Sequence, residues 1–529
     1  MKMKKYPLIS FAILLLPLFS FSPVKNFSLK WGPELEGSRR GSISSVLGYD
    51  DSGYFIMGYD KRDPMIFKIN KKLDNVAEFK FEEKDSETKI KYEFEDARYF
   101  NDKLFILKSF TDRGDKLREL YFQELNKNTL KETGKPKKIC SLTYHSSRDK
   151  GSFDVSTTKN DITNPADAKL LITIATPTEK DENEKFTLIM CDNSLKSIWK
   201  KDIQIPYINN LFIREHFICD DKGNAYVLGR LYKDKVREQK RGKQNYSYHL
   251  LSYTNKGENF VDYEIKLDDK FITDISFSIA DNGDILAGGY FSKKGTYSVD
   301  GAFYLALNAE TKAIKTTSFK EFDIDFITQG MTEKEEKKAR KKDEKGKDQE
   351  LYEYELHNII KRSDGGVILI GEQFYIKVYT TFNGKSTTTS YDYHYHNIII
   401  VNIDGAGKIE WAQTIPKRQI STNDGGFYSS FALAVTDDKL RFIYNDNREN
   451  LKPKKQGYIK NYTFRDKDGI VTLATIDKEG KVTLEALIND ADIEVGIRPK
   501  VCNQINDHEI LLFGEKRKKD QFAIISFEK

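Results

Sequence analysis

The chain has 529 residues, of which 39% are hydrophobic and 32% are charged. This hydrophobic content is sufficient for a packed core, which excludes a mostly disordered chain. The formal net charge is only +5, so the composition argues against nucleic acid or an anionic membrane surface as the main partner.

The N-terminus has the features of a secretory signal peptide. Three lysines lie within the first five residues, and an apolar run from Leu8 to Phe21 follows them. Small residues after that run predict cleavage near Ser20–Pro23, so we interpret residues 1–22 as the signal. The run is shorter than the roughly 20 residues that span a bilayer, and no second run approaches this length. The sequence therefore predicts export to the periplasm, the cell surface or the medium, without a transmembrane anchor after cleavage.

The pattern from residue 215 to residue 265 contains four short apolar strands separated by turns rich in Asn, Asp and Gly. These residues tolerate the left-handed backbone conformations that tight hairpins require. Four such strands make one blade of a β-propeller, so the pattern predicts an all-β fold.

This unit recurs along the chain. The strands that follow its first turn begin at Tyr54, Leu104, Leu170, Ala225, Ile285, Val367, Leu440 and Ile510. The copies predict about eight blades, or seven if the loose copy near Leu170 is not a unit. We interpret residues 23–529 as a single propeller domain.

The two ends of the chain complement each other. Trp199 and Trp411 each lie four residues before an Ile in the last strand of a unit, and Trp31 occupies a similar phrase near the N-terminus. The C-terminal unit supplies only three strands. We therefore expect the strand from Phe27 to Leu35 to pair with the strand from Phe522 to Phe527 and close the ring. The shared phrase also predicts that Trp31 is buried between blades as the other two Trp residues are.

Segments 281–289 and 363–371 share an Asp-Asn-Gly or Asp-Gly-Gly turn followed by an apolar strand that ends in Gly. Over about residues 210–420 the chain resembles exported bacterial β-propellers with repeats of the delta-60 and SBBP types. The resemblance implies an exported propeller. It specifies the fold rather than an activity, and no catalytic residues carry over.

The four cysteines lie in apolar, strand-like runs, at Cys140, Cys191, Cys219 and Cys502. An exported protein could form two disulfides from them. Because a small thiol is readily accommodated in a core, we expect buried free cysteines instead.

Two segments depart from the plain repeat. Residues 331–354 contain a run of mixed charge with high helix propensity and almost no apolar face. We interpret them as a solvated, partly helical insertion outside the ring, with a docking element for a partner as the alternative. Residues 373–396 form a lengthened hairpin with a polar tip near Gly384.

The hairpin supplies the candidate binding residues, which are Tyr375, Tyr379, Tyr391, Tyr393 and Tyr395. Tyrosine offers contact area and a polar tip at low entropic cost, although ordinary cross-strand packing of these rings is the alternative. Alternation places Asp392, His394 and His396 on the other side of their strand. These three are the metal-ligand candidates, but they spread over about 13 Å of one strand, so no metal or other cofactor is predicted.

The sequence contains no zincin, phosphate-loop or nucleophile-elbow motif. It therefore favours a non-catalytic propeller that binds or scaffolds a protein of the bacterial cell envelope, such as a subunit of an outer-membrane or secretion assembly. The alternative is a glycan-active hydrolase or lyase with its site at the central funnel, because propeller enzymes assemble sites from separate blades. The sequence leaves the oligomeric state open.

Overall fold

A computed structural model gives the architecture of the chain. It describes residues 27–35, 43–85, 88–144, 151–157, 168–179, 181–237, 239–240, 243–267, 269–280, 282–295, 298–308, 310–311, 313–329, 331, 333–346, 349–436, 438–452, 459–463, 467–488, 495–516 and 519–528. The predicted signal at 1–22 lies outside these residues.

Within the described residues, the strands form eight antiparallel sheets of four or five strands and two sheets of two strands. The first strand of the chain is β1 (Phe27–Glu34). Sheet 1 contains β2 (Ile43–Asp50), β3 (Gly53–Asp60), β4 (Asp63–Asn70) and β5 (Asn75–Lys80). Sheet 2 contains β6 (Tyr92–Phe100), β7 (Lys103–Asp112), β8 (Leu117–Leu125) and β9 (Glu132–Thr143). Sheet 3 contains β10 (Ser152–Thr157), β11 (Leu170–Ala175), β12 (Asn183–Cys191) and β13 (Ser197–Ile208).

Sheet 4 contains β14 (Phe212–Cys219) and β15 (Ala225–Tyr232), then, after the small hairpin β16 (Gln239–Lys240) and β17 (Lys243–Gln244), β18 (Tyr246–Thr254) and β19 (Asn259–Ile265). Sheet 5 contains β20 (Phe271–Ile279), β21 (Ile285–Ser292), β23 (Gly301–Leu307) and β24 (Ile314–Glu321). The short β22 (Ser298–Val299) pairs with β25 (Leu351–Tyr352). The helices α1 (Ile324–Ile327) and α2 (Glu333–Asp343) lie between sheets 5 and 6.

Sheet 6 contains β26 (Tyr354–Lys361), β27 (Val367–Phe382), β28 (Thr387–Ile403), β29 (Ile409–Ile415) and β30 (Gln419–Thr422). Sheet 7 contains β31 (Ala432–Thr436), β32 (Lys439–Asn447), β33 (Gly469–Ile476) and β34 (Val482–Ile488). Sheet 8 contains β35 (Val495–Ile497), β36 (Asn503–Asn506), β37 (Glu509–Lys516), β38 (Lys519–Phe527) and β1. Two 3-10 turns, Arg448–Leu451 and Pro499–Val501, complete the regular structure of the described residues.

The Asp/Gly turns of the repeat have the conformation that their residues predict. In the turn between β14 and β15, Gly223 has a φ of +78°, and the backbone N–H of this residue donates to the carbonyl of Asp220 at 3.0 Å. In the turn between β26 and β27, Gly365 has a φ of +84°. A residue with a Cβ is strained in this left-handed region, so glycine sets the tight connection between strands.

The core lies between successive sheets. Seven of the eight clusters of buried apolar side chains each join two sheets that are neighbours along the chain, from sheets 1 and 2 up to sheets 7 and 8. The remaining cluster joins sheet 8 back to sheet 1, with Phe513 and Phe522 of sheet 8 packed near Ile56 of sheet 1. Every large sheet within the described residues is therefore packed on both faces.

The pairing of β1 with β38 confirms the predicted meeting of the chain ends. The register is antiparallel, with Phe27 opposite Phe527 and Trp31 opposite Ala523. Phe27 is buried, at 7% exposure. A strand from the N-terminus therefore completes the sheet that the C-terminus begins.

Trp31 packs between two sheets, as predicted, but it does so on the other face of its sheet from Trp199 and Trp411. Trp199 is buried against sheet 4, and its indole N–H donates to the carbonyl of Gly223 at 2.9 Å. Trp411 likewise faces the following sheet and donates to the carbonyl of Lys478 at 3.0 Å. Trp31 is only half-buried and packs on the opposite face, against the cluster shared with the preceding sheet.

The charged insertion is attached to the sheets more closely than a solvated loop would be. It contains α2, in which Ala339 is only 7% exposed, and Arg340 pairs with Asp325 at 2.7 Å. Near its end, Leu351 pairs with Val299 through the small sheet of β22 and β25. α2 confirms the partly helical character of the segment, and most of its side chains are exposed as expected, but Ala339 and Leu351 are buried, so the segment is not solvated throughout.

All four cysteines are free, as predicted, and three of them are buried. Burial raises the pKa of the Cys140 thiol to about 11 and that of Cys191 to about 12. Thiols with such pKa values are largely protonated and unreactive at neutral pH. No helix in the described part of the chain is long and apolar enough to cross a membrane.

Candidate functional site

The hairpin of β27 and β28 has two halves with different surroundings. The inner half pairs Val367 to Glu372 with Ile398 to Ile403, and its side chains are largely buried. The outer half, residues 374–395, extends beyond this and is called the outer hairpin below. At its tip, the Asn383 side chain accepts the backbone N–H groups of Lys385 at 3.0 Å and Ser386 at 2.8 Å, which stabilises the turn.

The candidate tyrosines are divided between the two faces of the outer hairpin. Tyr375 lies opposite His394 and stacks on it, with ring centroids 4.4 Å apart. Tyr379 lies opposite Ser390, so it shares this face and is 48% exposed. The other three candidates in β28 lie on the second face.

The second face carries the exposed apolar residues. Tyr393 lies opposite Ile376, and Tyr391 lies opposite Val378. Their exposed fractions are high for apolar side chains: 45% for Ile376, 57% for Val378, 43% for Tyr391 and 71% for Phe382. Across β27 and β28 no tyrosine lies directly opposite another tyrosine: their partners are His394, Ser390, Val378, Ile376 and Phe374. Clusters of exposed apolar side chains are common at contact regions of proteins.

Tyr395 differs from the other candidates because it is buried, at 6% exposure. Its ring packs on Phe374 with centroids 4.6 Å apart, and its hydroxyl accepts from Lys500 Nζ at 2.6 Å. It therefore supports the base of the outer hairpin and is not part of the exposed surface.

One edge of the outer hairpin is covered and the other is open. β30 pairs with β28 from Asp392 to Tyr395. On the other side, β26 ends its pairing with β27 at Gln373, and the N–H of Phe374 then donates to Glu353 at 2.8 Å. Within the described residues no strand pairs with this edge from residue 375 to residue 382. An unpaired strand edge presents backbone groups that a further strand can bind.

The metal-ligand candidates do not converge. Asp392 accepts a hydrogen bond from Thr422 Oγ1 at 2.6 Å, and the rings of His394 and His396 are 5.4 Å apart at their centroids. Among the residues that the structure describes, no three His, Cys, Asp or Glu side chains are placed to hold a metal ion.

A buried ion pair lies below the outer hairpin. Glu372 and Lys417 are both fully buried, with Nζ 2.6 Å from Oε1. Ser430 Oγ donates to Glu372 Oε2 at 2.7 Å, and Lys417 Nζ also donates to Gln419 Oε1 at 3.0 Å. Burial alone would raise the pKa of Glu372, but Lys417 and His357 more than offset it, so this pKa lies below its usual range. Charged hydrogen-bond partners therefore fix the strand that leads into the hairpin.

Polar residues recur at a β-bulge in the first strand of several sheets. Glu95, Glu215 and His357 are each skipped in the pairing of their strand with the next. Each contacts a polar side chain of its own sheet: Glu95 lies 2.5 Å from Arg118, Glu215 lies 2.8 Å from Arg230 Nε, and His357 lies 3.3 Å from Glu372. A β-bulge changes the direction of the side chain at the extra residue. These three side chains therefore do not follow the alternation between the two faces of their sheets.

Two acids beside these bulges have raised pKa values. Burial raises the pKa of Asp274 to about 6, although its carboxylate accepts the N–H groups of Leu356 at 2.7 Å and Ile275 at 2.8 Å. Burial and the nearby Asp274 raise the pKa of Glu355. Carboxyl groups of this kind can exchange protons closer to neutral pH than ordinary ones. No sequence motif points to Asp274 and Glu355 or to the bulge residues beside them, because these residues come from different sheets and are far apart in the chain.

No protein-family model matches the sequence, and no curated protein matches it. Solved structures that resemble the chain include a protein of unknown function from Bacteroides caccae, at 12% identity over 71% of this chain and 94% of that one, with a TM-score of 0.25. They also include an oligogalacturonate lyase in complex with manganese, at 9% identity over 83% and 97%, with a TM-score of 0.32. The β-propeller domain of the Trilobed protease from Pyrococcus furiosus matches at 13% identity over 85% and 96%, also with a TM-score of 0.32. At these TM-scores the likeness assigns no function to this chain.

Proposed function

We propose that this chain is an exported β-propeller of eight blades that binds another protein of the bacterial cell envelope through its outer hairpin. Eight sheets in chain order, with apolar clusters between neighbours and between the last and the first, support a closed ring. The pairing of β1 with β38 joins the two ends of the chain in one sheet and covers an edge of β38 that would otherwise be open, which is how a closed ring is held together. The lysine-containing apolar N-terminus supports export.

The observation that carries the binding role is the exposed apolar face of the outer hairpin. Its residues Ile376, Val378, Phe382 and Tyr391 lie at the end of two long strands that are otherwise buried at their base. Exposed apolar side chains cost free energy in water unless a partner covers them. The adjacent open edge of β27 adds backbone donors and acceptors, which supports a partner that contributes an extended strand.

Site-specific photo-cross-linking in cells tests this proposal. A photoreactive amino acid at position 382 should give a discrete protein adduct in the envelope fraction. The matched control is position 314 in sheet 5, because Ile314 is also highly exposed, at 58%. Absence of an adduct at positions 378, 382 and 391, or the same adduct from position 314, would contradict the proposal.

The alternative, a glycan hydrolase or lyase, is favoured by one observation. Glu215, Asp274, Glu355 and His357 come from the first strands of three neighbouring sheets, and the raised pKa values of Asp274 and Glu355 suit proton transfer. Reducing-end and unsaturated-product assays on a panel of polysaccharides test it. Activity that is lost in both Asp274→Asn and Glu355→Gln would support the alternative, and inactivity on the whole panel would count against it.

A further inference from the structure

A cavity of about 360 Å³ lies between helix α2 and the base of the outer hairpin. Its volume falls within the range of about 300–1,000 Å³ that is usual for small-molecule sites. It is separate from the exposed apolar face at residues 376–391 and from the acids of the first strands. Described residues between Ile327 and Tyr352, four of them in α2, line one side of the cavity, and residues in and next to sheet 6 line the other.

The charge of the lining is positive. Lys338 and Lys342 of α2 and Arg418 after β29 line the cavity, and none of the three makes an ion pair with the described residues. The lining contains two carboxylates, Glu335 and Glu350, and Glu350 pairs with Lys294 at 2.8 Å, so the three cations outnumber the carboxylates. A mobile anion in the cavity would therefore be attracted, and most strongly at low salt.

The lining also provides groups that suit hydroxylated ligands. Gln373 donates through Nε2 to the carbonyl of Tyr352 at 2.9 Å, and this hydrogen bond does not use the acceptor oxygen of the amide. The side chain of Gln329 makes no hydrogen bond within the described part of the chain, and it lines the same cavity. Tyr352 is 52% exposed and presents an aromatic ring beside these amides. Amides that bind hydroxyl groups and a ring that contacts C–H groups are what a saccharide requires.

We propose that this cavity binds a small acidic saccharide. Arg418 binds its carboxylate, because a planar guanidinium matches a carboxylate in two parallel hydrogen bonds. The two lysines of α2 add positive charge at the rim, while Gln329 and Gln373 bind the hydroxyl groups. The charged insertion is then part of the binding site, because its helix α2 forms one wall of the cavity.

Calorimetric titration of the full mature chain tests the proposal. The probes are D-glucuronate and D-galacturonate, with D-glucose and D-galactose as neutral counterparts and inorganic phosphate as an anion without a sugar ring. We expect at least one uronate to bind about tenfold or more tightly than its neutral counterpart and than phosphate. We also expect this affinity to fall as the NaCl concentration rises from about 50 mM to about 500 mM, because salt screens the attraction between the cations and the carboxylate.

The variants Arg418→Gln and Lys342→Gln should each weaken uronate binding about tenfold. Lys341→Gln is the matched control, because Lys341 lies on the same exposed helix but does not line the cavity. Lys342→Gln changes only an exposed helix position, so it remains informative if Arg418→Gln does not fold. The proposal is overturned if neither uronate binds, if phosphate binds as tightly as the uronates, or if Lys341→Gln has the same effect as Lys342→Gln.

Discussion

Sheets 6 and 8 both depart from the plain four-stranded pattern, and they do so with opposite results. Sheet 8 takes its outermost strand, β1, from the other end of the chain and buries Phe27 in doing so. Sheet 6 lengthens β27 and β28 beyond the strands beside them and leaves Phe382 71% exposed. Additional chain that becomes buried contributes to stability, whereas additional chain that stays exposed and apolar indicates a partner.

Removal of β1 should have the largest effect on stability. A mature chain that begins at residue 36 loses a whole strand and exposes the edge of β38 together with the cluster around Ile525. We expect loss of most of the free energy of unfolding, which is about 5–15 kcal/mol for a typical protein. Limited proteolysis and urea unfolding measure this, with a chain that begins at residue 26 as the control. Unchanged protease resistance would show that β1 does not complete the fold.

Glu372→Ala should be the most destabilising single substitution at the base of the hairpin. It leaves Lys417 buried without its carboxylate, which costs about 3–5 kcal/mol. Urea unfolding measures the loss. The control is the double variant Glu372→Leu with Lys417→Met, which removes both charges and should recover most of the stability.

The stabilisation from Glu372 should also depend on pH. Because its pKa is lower in the folded state than in the unfolded state, its contribution is fully present above the usual glutamate pKa of about 4.3 and is lost as the pH falls through the folded value. The difference in stability between the parent and Glu372→Ala should therefore shrink below about pH 4. A difference that grows on acidification would contradict the assigned direction.

Trp199→Ala and Trp31→Ala compare a buried tryptophan that hydrogen-bonds to the following sheet with a half-buried tryptophan that packs towards the preceding sheet. Trp199 is 7% exposed and hydrogen-bonded to sheet 4, so its loss should cost about 3–5 kcal/mol. Trp31 is half-buried, so its loss should cost about 1–3 kcal/mol. Chemical denaturation of both variants measures the two values. Equal costs would indicate that the two side chains have equivalent environments after all.

Shortening the outer hairpin should have the smallest effect on stability. Replacing residues 378–391 with Asn-Gly removes exposed side chains and leaves the pairing of Ile376 with Tyr393 in place. We expect a change of less than about 1 kcal/mol in the free energy of unfolding, together with loss of the cross-linked partner. A large loss of stability would instead mean that the outer hairpin packs on the sheets.

The sequence predicted those features that depend on local patterns. Asp/Gly turns between apolar strands identified the sheets, and the missing last strand identified the pairing of the chain ends. The position of Trp31 could not be predicted in the same way. β1 begins opposite the last residue of β38, so Ser28 rather than Trp31 has the register position that Trp199 and Trp411 have in their own sheets.

The candidate site was predicted only in part. Alternation within β28 gave the correct faces for its own residues, but the irregularity near Gln373 determines which residues of β27 lie opposite them. The ion pair between Glu372 and Lys417 joins two residues that are far apart in the sequence. The neighbouring residues in the sequence do not distinguish either of them from a charged residue on the surface. Contacts between strands that are far apart in the chain therefore limit what sequence patterns reveal.

The most direct test of the account is whether the two ends of the chain meet in solution. Ser28 lies directly opposite Ser526, and directly opposed residues of antiparallel strands are about 4.5–5.5 Å apart at Cα, which suits a disulfide. In the variant Ser28→Cys with Ser526→Cys, we predict quantitative disulfide formation under mild oxidation and a higher melting temperature, with the two single variants as controls. Failure of the two cysteines to cross-link in the folded protein would contradict the pairing of β1 with β38 and the ring that we propose from it.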